Sequence, residues 1–211
     1  MIFIITGVKN EGKTRTLKLI SDILINKPEK NQLLNGTNIK LDGFVCNKVF
    51  LTEKLRFSAG YDKNNQNINK HHIGYDLMRV SNRMNVPFIR LSEYNKADFQ
   101  EGLLHGPFLF LNKGIAEGKK ILQECYVKKI KNVIIDEIGR LELEGKIFAD
   151  ELQELVKYSD KINLFLSVRT EFLEPVLEKF GIKTYTIIQT SYSKEKIKKD
   201  IKRYLLMDKF K

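Results

Sequence analysis

A chain of 211 residues with 42% hydrophobic and 30% charged residues is long enough to bury a large core and has the balance of one soluble α/β domain, residues 1–211. No apolar run approaches the roughly 18 residues of a membrane span, and the apolar start lacks a basic leader and a cleavage site, so a cytoplasmic protein is expected. The net charge of +11 comes from lysines scattered beside asparagines with no helix-turn-helix, RNP-type or zinc pattern, which disfavours a nucleic-acid partner and leaves small polyanions open.

Ile2 to Ile5 form a β-branched and aromatic run suited to a buried parallel strand, and Leu17, Ile20, Ile23 and Leu24 recur at helical spacing. Between them, Gly7-Val8-Lys9-Asn10-Glu11-Gly12-Lys13-Thr14 satisfies G-x-x-x-x-G-K-[ST] at every defined position, with Arg15 directly beyond. In a strand-loop-helix turn of this kind, backbone N–H groups of the loop and the helix start converge on an anion. Gly7 to Arg15 is therefore the candidate nucleotide-binding segment. Gly7 and Gly12 permit the backbone angles, Lys13 reaches the β- and γ-phosphates, and the Thr14 hydroxyl takes a place on Mg²⁺.

After a Pro/Asn/Gly-containing connection at 26–38, strands are expected at 40–50, 56–60, 74–80 and 86–91, with a polar turn-rich loop at 61–70. Residues 40–91 thus read as an antiparallel excursion of hairpins. Residues 92–106 have no clear pattern, and Phe108 to Leu111 is a brief apolar run. Beyond it, Ile115, Ile121, Leu122 and Cys125 predict a helix over 113–128, although Gly114 and Gly118 weaken it. Strands at 133–135, 162–168 and 184–188 then alternate with helices at 147–158, 170–180 and 194–207. That alternation implies a parallel sheet covered on both faces. The lysines of the last helix are assigned to solvent, because Ile197, Ile201, Tyr204 and Leu205 form its packing face. Cys46 and Cys125, far apart and outside any C-x-x-C, read as small core residues.

The mid-chain segment Val133-Ile134-Ile135-Asp136-Glu137-Ile138-Gly139-Arg140 supplies what a phosphate loop needs. An acid at the end of a buried strand can hold Mg²⁺ opposite Thr14, and Asp136 is placed for that. Glu137, directly after it, can orient or deprotonate a water attacking the terminal phosphate. The guanine-reading N-K-x-D is missing, since Asn112-Lys113-Gly114 is followed by Ile115. Arg140, Arg169 and Arg15 could each neutralise charge in the transition state. Arg169 is preferred, because it ends a strand and strand C-termini line the ligand crevice of open α/β sheets.

With Gly7 to Thr14 followed by Asp136-Glu137-Ile138-Gly139-Arg140-Leu141-Glu142-Leu143, the chain resembles the P-loop nucleoside-triphosphatase family of thermophilic bacteria and archaea, which includes the human cancer-related nucleoside triphosphatase. Gly43-Phe44 and Gly74-Tyr75 are similar to that family's two Gly-aromatic elements. The resemblance implies a Mg²⁺-dependent enzyme of broad base tolerance that releases phosphate from nucleoside triphosphates. It also marks departures: Lys9-Asn10 stands where Pro-Gly is frequent, Arg15 for a common Thr, Asn47 and Lys48 where acids are frequent, and His72 for an Arg. Glu142 matches a family glutamate to which the sequence assigns no role.

The expected protein is a three-layer α/β P-loop NTPase with a mainly parallel sheet, binding ATP, GTP or other triphosphates with Mg²⁺ and releasing the terminal phosphate. Its assigned catalytic groups are Glu137, Lys13, Arg169 and Arg140, with Thr14 and Asp136 on the metal. A small-molecule kinase and a nucleotide-gated assembly protein are the rival readings. Oligomeric state leaves no signature in the chain.

Overall fold

Alternation along the first strand sets the layering. In β1 (Ile2–Gly7), Ile2 and Ile4 face one side of the sheet while Phe3 and Ile5 face the other, and all four are buried. A strand apolar on both faces must be covered on both, which is what the rest of the chain does. The computed structural model describes residues 1–25, 40–51, 72–94 and 101–207. The connection at 26–38, the strand at 56–60 and the loop at 61–70 fall outside them.

The remaining strands are β2 (Leu41–Phe50), β3 (His72–Arg79), β4 (Asn85–Leu91), β5 (Gly102–His105), β6 (Phe108–Leu111), β7 (Asn132–Ile138), β8 (Asn163–Arg169) and β9 (Thr186–Gln189). They form a single nine-stranded sheet in the order β5-β6-β4-β3-β2-β7-β8-β1-β9. From β2 through β7, β8 and β1 to β9 the pairings are parallel. From β2 outward through β3, β4, β6 and β5 they are antiparallel. The antiparallel part thus runs on to Leu111, past the limit of 91 expected from the sequence. Residues 92–106, which lack a pattern, contain a short helix at Ser92–Tyr94 and the four-residue edge strand β5. Only alternate positions of β5 are partly buried, too short a signal for periodicity to register.

Helices α1 (Lys13–Ile25) and α6 (Lys194–Met207) cover the face that carries Phe3 and Ile5, through Leu17, Ile20, Leu24, Ile197 and Ile201. On the opposite face lie α2 (Asn112–Val127), α3 (Arg140–Leu143), α4 (Ala149–Lys157) and α5 (Leu173–Phe180). The result is a three-layer arrangement of helices, sheet and helices. The 170–180 helix is in fact a short helical turn, Thr170–Phe172, followed by α5, which ends at Gly181 in the left-handed region with φ 64°. Cys46 and Cys125 are both buried and free. Among the described residues, no helix is long and apolar enough to cross a membrane.

The glycines that weakened the 113–128 helix have a packing role. A Cβ on Gly114 would come within 2.6 Å of the Phe88 Cα, and one on Gly118 within 2.5 Å of the Phe148 ring. Their helix cost is offset by the close approach of α2 to β4 and to Phe148. Gly43 does the same between strands, since with φ at +114° a Cβ there would meet the Ile134 carbonyl oxygen at 2.0 Å.

One ion network ties the two halves of the sheet to α2. Arg79 binds Asp42 through Nη2 at 2.6 Å and Nε at 3.0 Å, and Glu124 through Nη2 at 2.8 Å. Lys128 reaches the same Glu124 carboxylate at 2.8 Å. These partners raise the Arg79 pKa and pull Glu124 down to about 2. Asp42 is buried, so without Arg79 its charge keeps only the long Ser81 N–H contact at 3.4 Å among the described residues. Arg79→Met is expected to cost about 3 kcal/mol of stability, measured by urea unfolding at pH 7.

Candidate functional site

The loop between β1 and α1 closes on its own groups. The Lys13 ammonium is buried and donates to the carbonyl oxygens of Gly7 at 3.0 Å and Val8 at 2.8 Å, while the Val8 N–H donates to the Glu11 carboxylate at 2.7 Å. Asn10 and Gly12 sit at positive φ, 66° and 99°, and the Thr16 N–H donates to the Gly12 carbonyl to start the helix. Burial lowers the Lys13 pKa, and the nearby Glu137 carboxylate opposes that most. Lys9 within the loop and Arg15 just past it are exposed.

From the other side of the chain comes Asp136, only 1% exposed. Its Oδ2 accepts the Thr14 hydroxyl at 2.7 Å and the Cys46 N–H at 3.0 Å. Its Oδ1 accepts the Ser167 hydroxyl at 2.5 Å and the Glu137 N–H at 3.1 Å. Thr14 and Asp136 are 122 residues apart in sequence, so only the fold brings them together. The reason lies in the strand order: β7 stands two places from β1, and the C-terminal ends of parallel strands share one edge. A hydroxyl and a carboxylate side by side are hard oxygen donors, the set that suits Mg²⁺ with water and phosphate oxygens completing its shell.

Glu137 occupies a backbone irregularity. Pairing of β7 with β8 slips between Ile135 and Ile138, and Glu137 adopts φ 64°, uncommon for a residue with a side chain. Its N–H is held by the Ser167 hydroxyl at 2.8 Å. Burial raises its pKa, with the Asp136 charge second, while Arg169, Lys13 and Lys48 pull it down. A carboxyl group above its usual range beside a buried ammonium has the character of a proton acceptor.

The three arginines separate. Arg169, last residue of β8, pairs in register with Gly7 and acts electrostatically on both Lys13 and Glu137; its own partner is Glu171 at 3.6 Å. Arg140 is exposed at the start of α3, with its guanidinium 5.9 Å from the Phe172 ring centre. Arg15 lines a cavity of about 300 Å³ beside the loop, together with Glu11, Leu19, Thr190, Tyr192 and Ile197.

Glu142, left without a role by the sequence, is buried and accepts the Gly139 N–H at 2.9 Å, closing the first turn of α3. Burial pushes its pKa up to about 7. Because the folded value lies above the unfolded one, the native state binds the extra proton, and stability falls as pH rises from about 4.5 to about 7. Glu142→Gln keeps an acceptor without the charge. It should remove about 2 kcal/mol of the stability lost between pH 5.5 and 8, measured by urea unfolding.

Sequence reading missed four contributors. Ser167 orients both acids, and the Cys46 backbone holds Asp136. Lys48 donates to Asn10 in the loop at 3.0 Å. Tyr75 lies close enough to Glu137 for that charge to add to burial in raising its pKa to about 12. Ser167 had one available signal, a lone hydroxyl inside the otherwise apolar Leu164-Phe165-Leu166-Ser167-Val168.

A glycine loop between the first strand and first helix, with an acid from a strand two places away touching its threonine, defines the P-loop NTPase fold. No protein-family model and no curated protein matches the chain. Among solved structures it is similar to the crystal structure of THEP1 from the hyperthermophile Aquifex aeolicus, with a TM-score of 0.61 and 19% sequence identity over 95% of this chain and 96% of that one. At that identity the likeness establishes the fold.

Proposed function

We propose that this protein binds nucleoside triphosphates with Mg²⁺ and hydrolyses the terminal phosphate. The observation that carries the reading is the 2.7 Å hydrogen bond from the Thr14 hydroxyl to Asp136, which joins the loop threonine to the strand acid. Thr14 and, through water, Asp136 would hold Mg²⁺, which when bound offsets the charge of the β- and γ-phosphate oxygens.

The remaining work falls to the chain. Phosphate oxygens replace the Gly7 and Val8 carbonyls as partners of Lys13 and compete with the Glu11 carboxylate for the Val8 N–H. The triphosphate thereby opens contacts that the loop otherwise makes with itself. Glu137, half-buried and raised in pKa, orients the attacking water and accepts its proton. Arg169 stabilises charge on the terminal phosphate from the β8 side. The nucleoside extends into the cavity between α1 and the segment after β9, where Leu19 and Tyr192 lie among the polar groups of Arg15, Thr190, Ser193 and Lys194.

Phosphate release from ATP, GTP, CTP and UTP, with Mg²⁺ and with a chelator, tests the reading. Mg²⁺-dependent release of one phosphate per nucleotide from several triphosphates is expected. ADP formation only when an alcohol acceptor is added would make the protein a kinase, and saturable binding without turnover would make it a nucleotide-gated binder.

A further inference from the structure

We infer that Lys48 is a further cationic contact to the terminal phosphate, reaching the site from β2 on the side opposite Arg169. The inference rests on the triphosphate reading of the site and adds a residue to it.

Strand order places the group. The acids stand at the end of β7, whose two neighbours in the sheet are β2 and β8. Arg169 ends β8, and Lys48 lies two residues past Cys46, the residue whose N–H holds Asp136. A phosphate facing Glu137 therefore has a cation on each neighbouring strand. The Lys48 ammonium already spans the space between β2 and the loop, donating to the Asn10 side-chain oxygen at 3.0 Å. Asn10 is a loop residue held at φ 66°.

Lys48 has no ion-pair partner among the described residues. Among the described residues its hydrogen-bond partner is a neutral amide, and no carboxylate pairs with it. Asp76, on the neighbouring strand, is taken by Arg90 at 2.6 Å. An ammonium bonded to an amide loses little by exchanging that oxygen for a phosphate oxygen, and it gains an anionic partner. The loop then loses its tie to β2 only when a third phosphate is there to take it.

The contact predicts a preference, not only an affinity. ADP stops at the β-phosphate, whereas adenosine 5′-(β,γ-imido)triphosphate carries the terminal group and resists hydrolysis. Calorimetry with both nucleotides and Mg²⁺ on wild type, Lys48→Met and Lys48→Arg separates the cases. Lys48→Met should weaken the imidotriphosphate about tenfold and leave ADP unchanged, with Lys48→Arg recovering most of the loss. An unaltered preference in Lys48→Met overturns the proposal. An equal loss for both nucleotides also overturns it, because Lys48 would then only brace the loop. If wild type proves unable to hydrolyse ATP yet shows the Lys48-dependent preference, the hydrolysis reading falls and the phosphate contact stands.

Discussion

Replacing Glu137 by Gln should lower the rate of phosphate release by about 10² to 10⁴ while the Kd for ATP with Mg²⁺ stays close to that of wild type. The amide has the shape and hydrogen-bonding reach of the carboxylate but cannot accept the proton of an attacking water. Backbone geometry at 137 survives the change, because it is held from outside the side chain: the N–H of residue 137 is fixed by Ser167 and by Asp136. Loss of activity with retained binding would therefore report the carboxylate itself.

A second readout comes from acidity. Burial and the Asp136 charge hold the Glu137 pKa above its usual value. The working form is the deprotonated one, so activity should rise with pH through a limb displaced upward from the ordinary glutamate range. Lys48→Met and Arg169→Met each remove a cation that opposes the shift, and should push that limb higher still. A Glu137→Gln protein with wild-type turnover would remove Glu137 from its assigned role.

The parts of this site that sequence makes legible are those in which one residue type has one chemical use. Gly7, Gly12, Lys13 and Thr14 occupy fixed places in a turn whose geometry few other residues permit, and the loop can be recognised from one short stretch. Asp136 could be paired with Thr14 because the phosphate loop upstream gives an acid at the end of a buried strand a metal to hold. The hydrogen bond between them is the structural counterpart of that pairing. The two-sided apolar pattern of β1, β7 and β8 likewise required helices on both faces.

What escaped the sequence depends on neighbours that periodicity cannot see. Gly118 counts against a helix when only the helix is considered, yet Phe148 occupies the space a side chain would need. Glu142 has no role in the sequence until its carboxylate is found under the Gly139 N–H. Lys48 is marked in the sequence only as standing where acids are frequent, and the strand order β2-β7-β8 puts it across from Arg169. In each case the missing information is which distant residue lies on the other side of a contact.

Lys13→Met should weaken binding of ATP with Mg²⁺ roughly 10- to 100-fold, the range expected when a charge-assisted hydrogen bond to phosphate is lost. The same substitution should leave the folded protein as stable as wild type, or more so. That second expectation follows from the energetics of the resting loop. Burial lowers the Lys13 pKa, which means that the folded chain disfavours its charge at neutral pH. Two backbone carbonyls satisfy the ammonium without neutralising it. Methionine fills a similar volume and carries no charge to desolvate, so thermal unfolding without nucleotide should shift upward or not at all. Adding ATP and Mg²⁺ should then stabilise wild type far more than the variant, because stabilisation by a ligand grows with its affinity for the native state. A Lys13→Met protein that unfolds earlier than wild type would show the lysine to be structural, and one stabilised equally by ATP would place the phosphates away from the loop.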